Sequence, residues 1–335
     1  MRIGMIAYAS KTGLGYQTKD FYDHIHPHKT LLVDLSKYNG LPIDLTWYPY
    51  ARHTTWVNRE DIEWLLTDID VLWIIETPLN YELYFEARKR GIKVAQQYNF
   101  EFVDYLNRPT LPKPDLFVAP TTWGIKRMED FGAVTRLQVP CPEAPKRNIK
   151  QAKLFVHIAG RPAIHDRNGT LTFVEAALAR PENKYKLYIQ PNDVIPLNEI
   201  YDKTAHLDFE IIQNTKDRMD MYCEGDALIM PRRYGGLCLP MLESLAVGMP
   251  VIMPDITPNR DLLPEEWLVP AKKIGDFICR ESVDIYEADL EALIYKMDVF
   301  PARRANRQAY NIAQANTWQQ HKKTYIYTME NLCMI

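Results

Sequence analysis

Glycine is scarce in this chain. Only 14 occur in 335 residues, against about 7% in average usage. That excludes collagen-like and glycine-rich low-complexity architectures. It also makes each glycine informative, because glycine costs chain entropy and a glycine-poor sequence keeps it where the backbone demands it. No run of 18 apolar residues occurs, so no membrane span is expected. The opening MRIGMIAYASKTG has an apolar run too short for a signal h-region, broken by Lys11. The five cysteines are odd in number and scattered, with no CxxC pair. Neither a zinc site nor a disulfide framework is indicated, and a reducing cytoplasm is the simple expectation. Charge is nearly balanced, with 40 Lys+Arg against 43 Asp+Glu. No global basic field argues for nucleic acid or an acidic membrane. What remains is an average globular composition, 47% hydrophobic and 25% charged, in a chain of roughly two-domain length.

Apolar runs at residues 3–9, 31–35, 71–75, 94–96 and 116–119 predict buried strands, with helical patterns between them. Residues 139–146 carry Pro140, Pro142 and Pro145 and read as a linker. The pattern then restarts, with strands at 154–159, 187–189, 209–212, 227–230 and 251–253, a helix at 171–179, and helical periodicity from residue 302. Strands alternating with helices mean βαβ units and parallel sheets. The expected architecture is α/β: two Rossmann-like domains facing a cleft, with a C-terminal helix crossing back. The boundaries are 1–142, 143–305, and a helical segment 306–335 packing on the first domain.

Two segments carry the chemistry. The first, residues 227–255, reads strand, glycine loop, helix, glycine stop, strand. Its helix should start near Leu239 or Pro240, since proline suits a first helical position. Gly235, Gly236, Leu237 and Cys238 then offer backbone N–H groups at a helix N-terminus, an anion site. Glu243 lies about one turn on, where a carboxylate can accept from both hydroxyls of a ribose. The second segment, residues 157–170, places Arg161 and Arg167 at a strand's C-terminal end, where α/β sheets bind ligands. Paired guanidinium groups suit a diphosphate, and Thr170 is placed to cap the following helix.

The first half offers Gly13-x-Gly15 after its first strand, but Thr18 stands where a dinucleotide fingerprint has its third glycine. No GK[ST] phosphate loop occurs either. Gly13 and Gly15 are therefore read as a close-approach loop on the acceptor side, and a dehydrogenase is disfavoured. Candidate catalytic groups at strand ends are Glu76, Asn99, Glu101 and His53; a carboxylate within reach of an acceptor hydroxyl is the plausible general base. The alternating histidines His24, His26 and His28 are read as a solvated loop rather than a metal site, and the Asp68-Ile-Asp70 triplet, which precedes a buried strand, is discounted as a metal motif.

The two C-terminal segments, with the two-domain layout, resemble retaining GT-B glycosyltransferases of the large family that includes glycogen and sucrose synthases. Those carry a Gly-Arg…Lys-Gly loop and a Glu-x-Phe-Gly…Glu-Ala helix. The resemblance implies that Arg161, with Arg167 or Asn168 in place of the lysine, holds a donor diphosphate. It implies that Glu243 holds the ribose and that backbone at residues 235–238 meets sugar and phosphate. Gly235 occupies the place of the motif's first glutamate, whose role is to hold donor-sugar hydroxyls, so donor identity and stereochemical outcome stay open. The string Arg-Tyr-Gly-Gly-Leu-Cys-Leu-Pro-Met also resembles a subgroup often encoded by bacteriophages. The implied activity is metal-independent transfer from a nucleoside-diphosphate sugar, UDP-linked, with no further cofactor. The implied acceptor is a hydroxymethylated pyrimidine in double-stranded DNA, in a host cytoplasm if phage-encoded. A cell-envelope glycan or small molecule is the alternative acceptor, and a non-catalytic nucleotide-binding regulator the alternative of another class.

Overall fold

The computed structural model describes residues 1–160, 165–190, 195–213 and 217–334. The chain forms two units: Met1–Val139 with Cys279–Glu281 and Trp318–Ile335, and Pro140–Ile278 with Ser282–Thr317. The first division falls at Pro140, the first of the three clustered prolines.

Unit 1 runs β1 (Ile3–Ala7), α1 (Gly13–Ile25), β2 (Lys29–Val33), α2 (Ser36–Asn39), β3 (Arg52–Thr54), α3 (Arg59–Leu66), β4 (Val71–Ile75), α4 (Glu82–Lys89), β5 (Lys93–Gln97), β6 (Leu116–Ala119), α5 (Ile125–Met128) and β7 (Val134–Arg136). Its seven strands are parallel, in the order β3-β2-β1-β4-β5-β6-β7. Every residue of β1 and β4 is buried, as expected of parallel strands covered on both faces. Alternate residues serve the two faces. Met5, Ala7, Trp73 and Ile75 pack with Phe21 of α1 and with Tyr325 and Met329 from the C-terminal segment. Ile6, Leu72 and Ile74 pack with Ile62 and Leu65 of α3 and Leu83 and Ala87 of α4. Phe21 stacks on Trp73 with ring centroids 4.8 Å apart.

Gly13 and Gly15 lie in the first turn of α1, which corrects their reading as a loop. A close approach does occur at Gly15, but its partner is the chain itself. A Cβ there would sit 1.9 Å from the Ser10 carbonyl oxygen, so only glycine lets the helix start so near the preceding turn. Thr12 caps the same turn by accepting from Gly15 N at 3.0 Å.

Unit 2 runs β8 (Leu154–Gly160), α6 (Thr170–Leu178), β9 (Lys184–Ile189), α7 (Leu197–Thr204), β10 (Asp208–Ile212), β11 (Ala227–Ile229), α8 (Leu239–Ala246), β12 (Val251–Pro254) and β13 (Leu268–Val269). An antiparallel hairpin follows, β14 (Ala271–Ile278) and β15 (Ser282–Ala288), then α9 (Leu290–Val299) and α10 (Ala302–Ala315). The parallel sheet has the order β10-β9-β8-β11-β12-β13. Gly248, at φ +78° just past α8, is the helix stop expected of it. Asn306 of α10 donates to the carbonyls of Gly248 (2.6 Å) and Arg147 (3.1 Å), fastening α10 beside α8. The helical periodicity after residue 302 is interrupted at Asn316, the C-cap of α10. Beyond it α11 (Trp318–Met334) belongs to unit 1, where Trp318 stacks on His24 at 4.8 Å. Among the described residues no helix is long and apolar enough to cross a membrane.

Candidate functional site

In unit 2 the strand order turns around between β8 and β11: β9 and β10 lie to one side, β12 and β13 to the other. Connections leave such a point in opposite directions and open a crevice at the strands' carboxyl ends, the usual ligand position of an open α/β sheet. The two loops that start there are the two glycine–arginine segments.

These loops are bonded to each other and to the sheet. Asn168 donates from its amide to the carbonyls of Ile158 and Ala159, both at 3.1 Å, pinning its loop to the end of β8. Arg233 N donates to the Arg167 carbonyl at 2.9 Å, and the Arg233 guanidinium donates to the His165 carbonyl at 2.8 Å. Gly169 adopts φ +72°, and a Cβ there would lie 2.0 Å from the Pro231 carbonyl oxygen. The Arg167 guanidinium donates to the Gly235 carbonyl at 2.7 Å and lies 5.0 Å from the Tyr234 ring centroid. Arg232 is buried and donates to the carbonyls of Gly236 (3.2 Å) and Gly235 (3.3 Å).

That arrangement decides where the N–H groups point. In a trans peptide the C=O and the following N–H face opposite ways. Holding the carbonyls of Gly235 and Gly236 therefore turns the N–H groups of Gly236 and Leu237 away from the arginines. Among the described residues no protein group accepts from the N–H groups of Gly235, Gly236, Leu237 or Cys238. They precede α8, which has Pro240 in its first turn and no side-chain cap. The result is a row of donors at a helix N-terminus, suited to an anion. Arg161 lies outside the described residues.

Thr170 does not cap α6. It is already the first helical residue, and Gly169 holds the N-cap position. Asp166 does the capping by accepting from Leu171 N at 2.9 Å. The Thr170 hydroxyl is instead 3.0 Å from His157 Nε2, while Nδ1 of the same ring is 2.7 Å from the Ile229 carbonyl. A carbonyl only accepts, so Nδ1 carries the proton; the neutral ring then accepts from Thr170. Complete burial pushes His157 down to about 4, so the ring stays neutral at pH 7. It ties β8, β11 and α6 together beneath the loops. Its one signal in the sequence is a histidine inside the apolar strand LFVHIAG.

Glu243 is buried in α8. Its Oε2 accepts from the Tyr222 hydroxyl at 2.6 Å, and its Oε1 is 3.6 Å from the Arg218 guanidinium. Tyr222 and Arg218 share a short 3-10 helix (Arg218–Tyr222), held at its start by reciprocal bonds between Asp217 and Asp220. Burial, and then the charge of Glu243, holds the Tyr222 phenol well above its ordinary pKa.

Unit 1 has its own reversal, between β1 and β4. Glu76, the residue after β4, is in the left-handed region at φ +73°, and Leu79 follows at φ +61°. Non-glycine residues hold that conformation only when their surroundings enforce it, and such strain concentrates at functional sites. Glu76 Oε2 accepts from the Asn99 amide at 2.7 Å, and the Glu76 carbonyl accepts from Gln96 Nε2 at 2.5 Å. The structure thus joins Glu76 to Asn99 across neighbouring strand ends. Glu101 is buried in a 3-10 turn (Phe100–Phe102), its carbonyl accepting from Arg280 N at 3.1 Å. His53 is not brought to this group. It is exposed on the edge strand β3, three strands from β4, or about 14 Å at the usual strand spacing.

Among the described residues no cluster of three His, Cys, Asp or Glu side chains could hold a metal ion. His28 Nδ1 accepts from Ile3 N, and Asp70 accepts from Arg2 N. Of the short basic runs Arg88-Lys89-Arg90, Lys146-Arg147 and Arg303-Arg304, Arg90 pairs with Glu63, Lys89 with Glu86 and Arg304 with Glu266, and Lys146 lies over the Tyr310 ring.

No protein-family model and no curated protein sequence matches the chain. Solved structures do. Sucrose-phosphate synthase from Thermosynechococcus elongatus superposes with a TM-score of 0.71 at 14% identity, over 99% of both chains. HepE of Anabaena, solved in complex with UDP, gives 0.69 at 10% identity over 99% of this chain and 100% of the other. The pneumococcal O-GlcNAc transferase GtfA, in complex with UDP and GlcNAc, gives 0.60 at 15% identity over 78% of this chain. The match spans only 57% of that transferase's length. The likeness is one of fold: two parallel α/β sheets matching the GT-B glycosyltransferase fold.

Proposed function

We propose that the chain is a glycosyltransferase that moves a sugar from a nucleoside-diphosphate sugar to an acceptor hydroxyl. One observation carries the reading: the row of backbone donors at residues 235–238, those of Gly236 and Leu237 aimed by Arg167 and Arg232, at the strand reversal of unit 2. The same fold occurs in proteins solved with UDP and with ADP.

In this reading the donor diphosphate takes the N–H groups and the positive end of α8, Arg161 adds positive charge, and Arg167 serves the donor site from the carbonyl side of the loop by holding Gly235. Glu243 takes the ribose. As the nucleoside diphosphate departs, its developing charge meets fixed donors that need no rearrangement, the main electrostatic contribution to such a step. No metal ion is called for. Glu76, oriented by Asn99, is the first candidate for the acceptor side, with Glu101 and His53 behind it. The donor half is assigned to residues 143–305 and the acceptor half to 1–142, with 306–335 packing on the latter.

The finer reading is a cytoplasmic enzyme whose acceptor is a hydroxymethylated pyrimidine in duplex DNA. Support for it is confined to the Arg-Tyr-Gly-Gly-Leu-Cys-Leu-Pro-Met string. The test is incubation with a panel of UDP- and ADP-sugars and three acceptor classes: hydroxymethylated duplex DNA, an envelope glycan and small hydroxyl compounds. Product is read by mass spectrometry. Transfer to any acceptor that is lost in Arg167→Ala and Glu243→Ala supports the enzyme. Nucleotide binding without turnover of any donor would make the chain a non-catalytic nucleotide-binding regulator.

A further inference from the structure

Resting on the reading of Glu243 as the ribose ligand, we infer that Tyr222 and Arg218 are positioning residues that set the chain's preference for ribonucleotides. The Tyr222 side chain is fully buried and its hydroxyl is 2.6 Å from Glu243 Oε2. The Arg218 guanidinium stands 3.6 Å from the other oxygen, Oε1. A carboxylate offers about four lone-pair sites. Tyr222 takes one of them on Oε2, with Arg218 beside Oε1, so both oxygens are held by named partners. A phenol in this setting stays protonated, since burial and then the Glu243 charge oppose its ionisation. It therefore acts as a fixed donor to Glu243 across the working pH range.

The support behind Tyr222 is itself built. The Arg147 guanidinium donates to the Tyr222 carbonyl at 3.0 Å, and Arg147 N donates to the Val247 carbonyl at 2.8 Å, at the end of the helix that carries Glu243. Tyrosine and glutamate are thus referenced to one another from both ends. A hydroxyl-binding site of this kind discriminates strongly, because an analogue lacking the hydroxyl leaves a buried acceptor unpaired. Losing the lock lets the carboxylate rotate, and the discrimination falls even if the nucleotide still binds.

The experiment is calorimetry with the full chain. UDP and ADP are each compared with their 2′-deoxy and 3′-deoxy forms, in wild type, Tyr222→Phe, Arg218→Gln and Glu243→Gln. Phenylalanine keeps the buried shape of Tyr222; Arg218→Gln lies on a short surface helix and supplies an independent variant. Wild type should prefer the ribonucleotide by about 10- to 100-fold. Tyr222→Phe and Arg218→Gln should each reduce that ratio by about five- to tenfold, with a smaller change in affinity for the deoxy forms. A merely structural role would weaken all the nucleotides alike and leave the ratio intact. If Glu243→Gln abolishes the preference while both other variants keep it, the positioning role is wrong and the ribose assignment stands. If Glu243→Gln also keeps it, the ribose assignment is wrong and the positioning inference goes with it.

Discussion

Replacing His157 by phenylalanine probes the tie beneath the donor loops. The ring stacks on Phe173 at 4.9 Å, a contact phenylalanine can keep. The bonds to the Ile229 carbonyl (2.7 Å) and the Thr170 hydroxyl (3.0 Å) are lost, leaving two buried polar groups without their partner. Each costs about 1–3 kcal/mol, so His157→Phe should be destabilised by about 2–6 kcal/mol at pH 7.5. A pH dependence follows from the burial that pushes the histidine from 6.5 to about 4. Between those values the unfolded chain takes up a proton and the folded chain does not. Wild type therefore loses stability as pH falls below 6.5, by about 1.4 kcal/mol per pH unit. Phenylalanine has no proton to take. The gap between the two proteins should narrow by about 2 kcal/mol at pH 5 and stop narrowing near pH 4. Trp267 is the one tryptophan within the residues of unit 2. Fluorotryptophan labelling and fluorine NMR in a urea series therefore isolate its unfolding from that of unit 1. A gap that stays constant from pH 7.5 to pH 5 would refute the assignment of a buried neutral histidine.

Three further outcomes are expected. Arg167→Ala removes a charged bond to the Gly235 carbonyl; UDP or ADP affinity should fall about 10- to 100-fold by calorimetry with little change in melting temperature, and unchanged affinity would detach Arg167 from the donor site. Gly169→Ala puts a Cβ 2.0 Å from the Pro231 oxygen at φ +72°; it should cost about 2–4 kcal/mol in a urea melt, and a neutral result would show that the loop relaxes freely. Glu76→Gln should lower turnover about 100-fold or more with donor KM within a few-fold, whereas His53→Ala, on an exposed edge strand, should stay near wild type; the reverse pattern would move the acceptor side to the sheet edge.

The sequence showed best what is buried on both sides. β1, β4 and β6 stood out as apolar runs because helices cover both faces of a parallel sheet. β3, with the sequence RHT, and β7, with VTR, are short edge strands and present no such run. The hairpin β14–β15 was equally illegible, being largely exposed along β14. The start of α3 was signalled by Asn58 and Asp61, whose side chains cap it reciprocally, but the segment is polar enough to have been passed over. At the site, glycine scarcity pointed to the right loops, and Pro240 marked the start of α8. The partners that give those loops their form came from elsewhere in the chain. Arg232 acts through backbone carbonyls, Tyr222 reaches Glu243 from a separate short helix, and His157 links two strands and a helix. Such closures depend on the tertiary path, which no local spacing encodes. Thr170 shows the converse: a residue type suited to capping was placed one position too late to cap.

The donors at residues 235–238 are main-chain groups, and that has an evolutionary consequence. A side-chain ligand is deleted by one nucleotide change, but a backbone amide survives nearly any substitution that keeps its orientation. Leu237, only partly buried, can drift without erasing its anion contact, provided the chain path holds. Vulnerability moves instead to the residues that aim the backbone. Arg232, buried and bonded to both glycine carbonyls, and Gly236, at φ +100°, become the positions where a lineage would lose the site. Divergent copies of this chain should therefore vary along the surface that meets the phosphate and stay constant one layer beneath it.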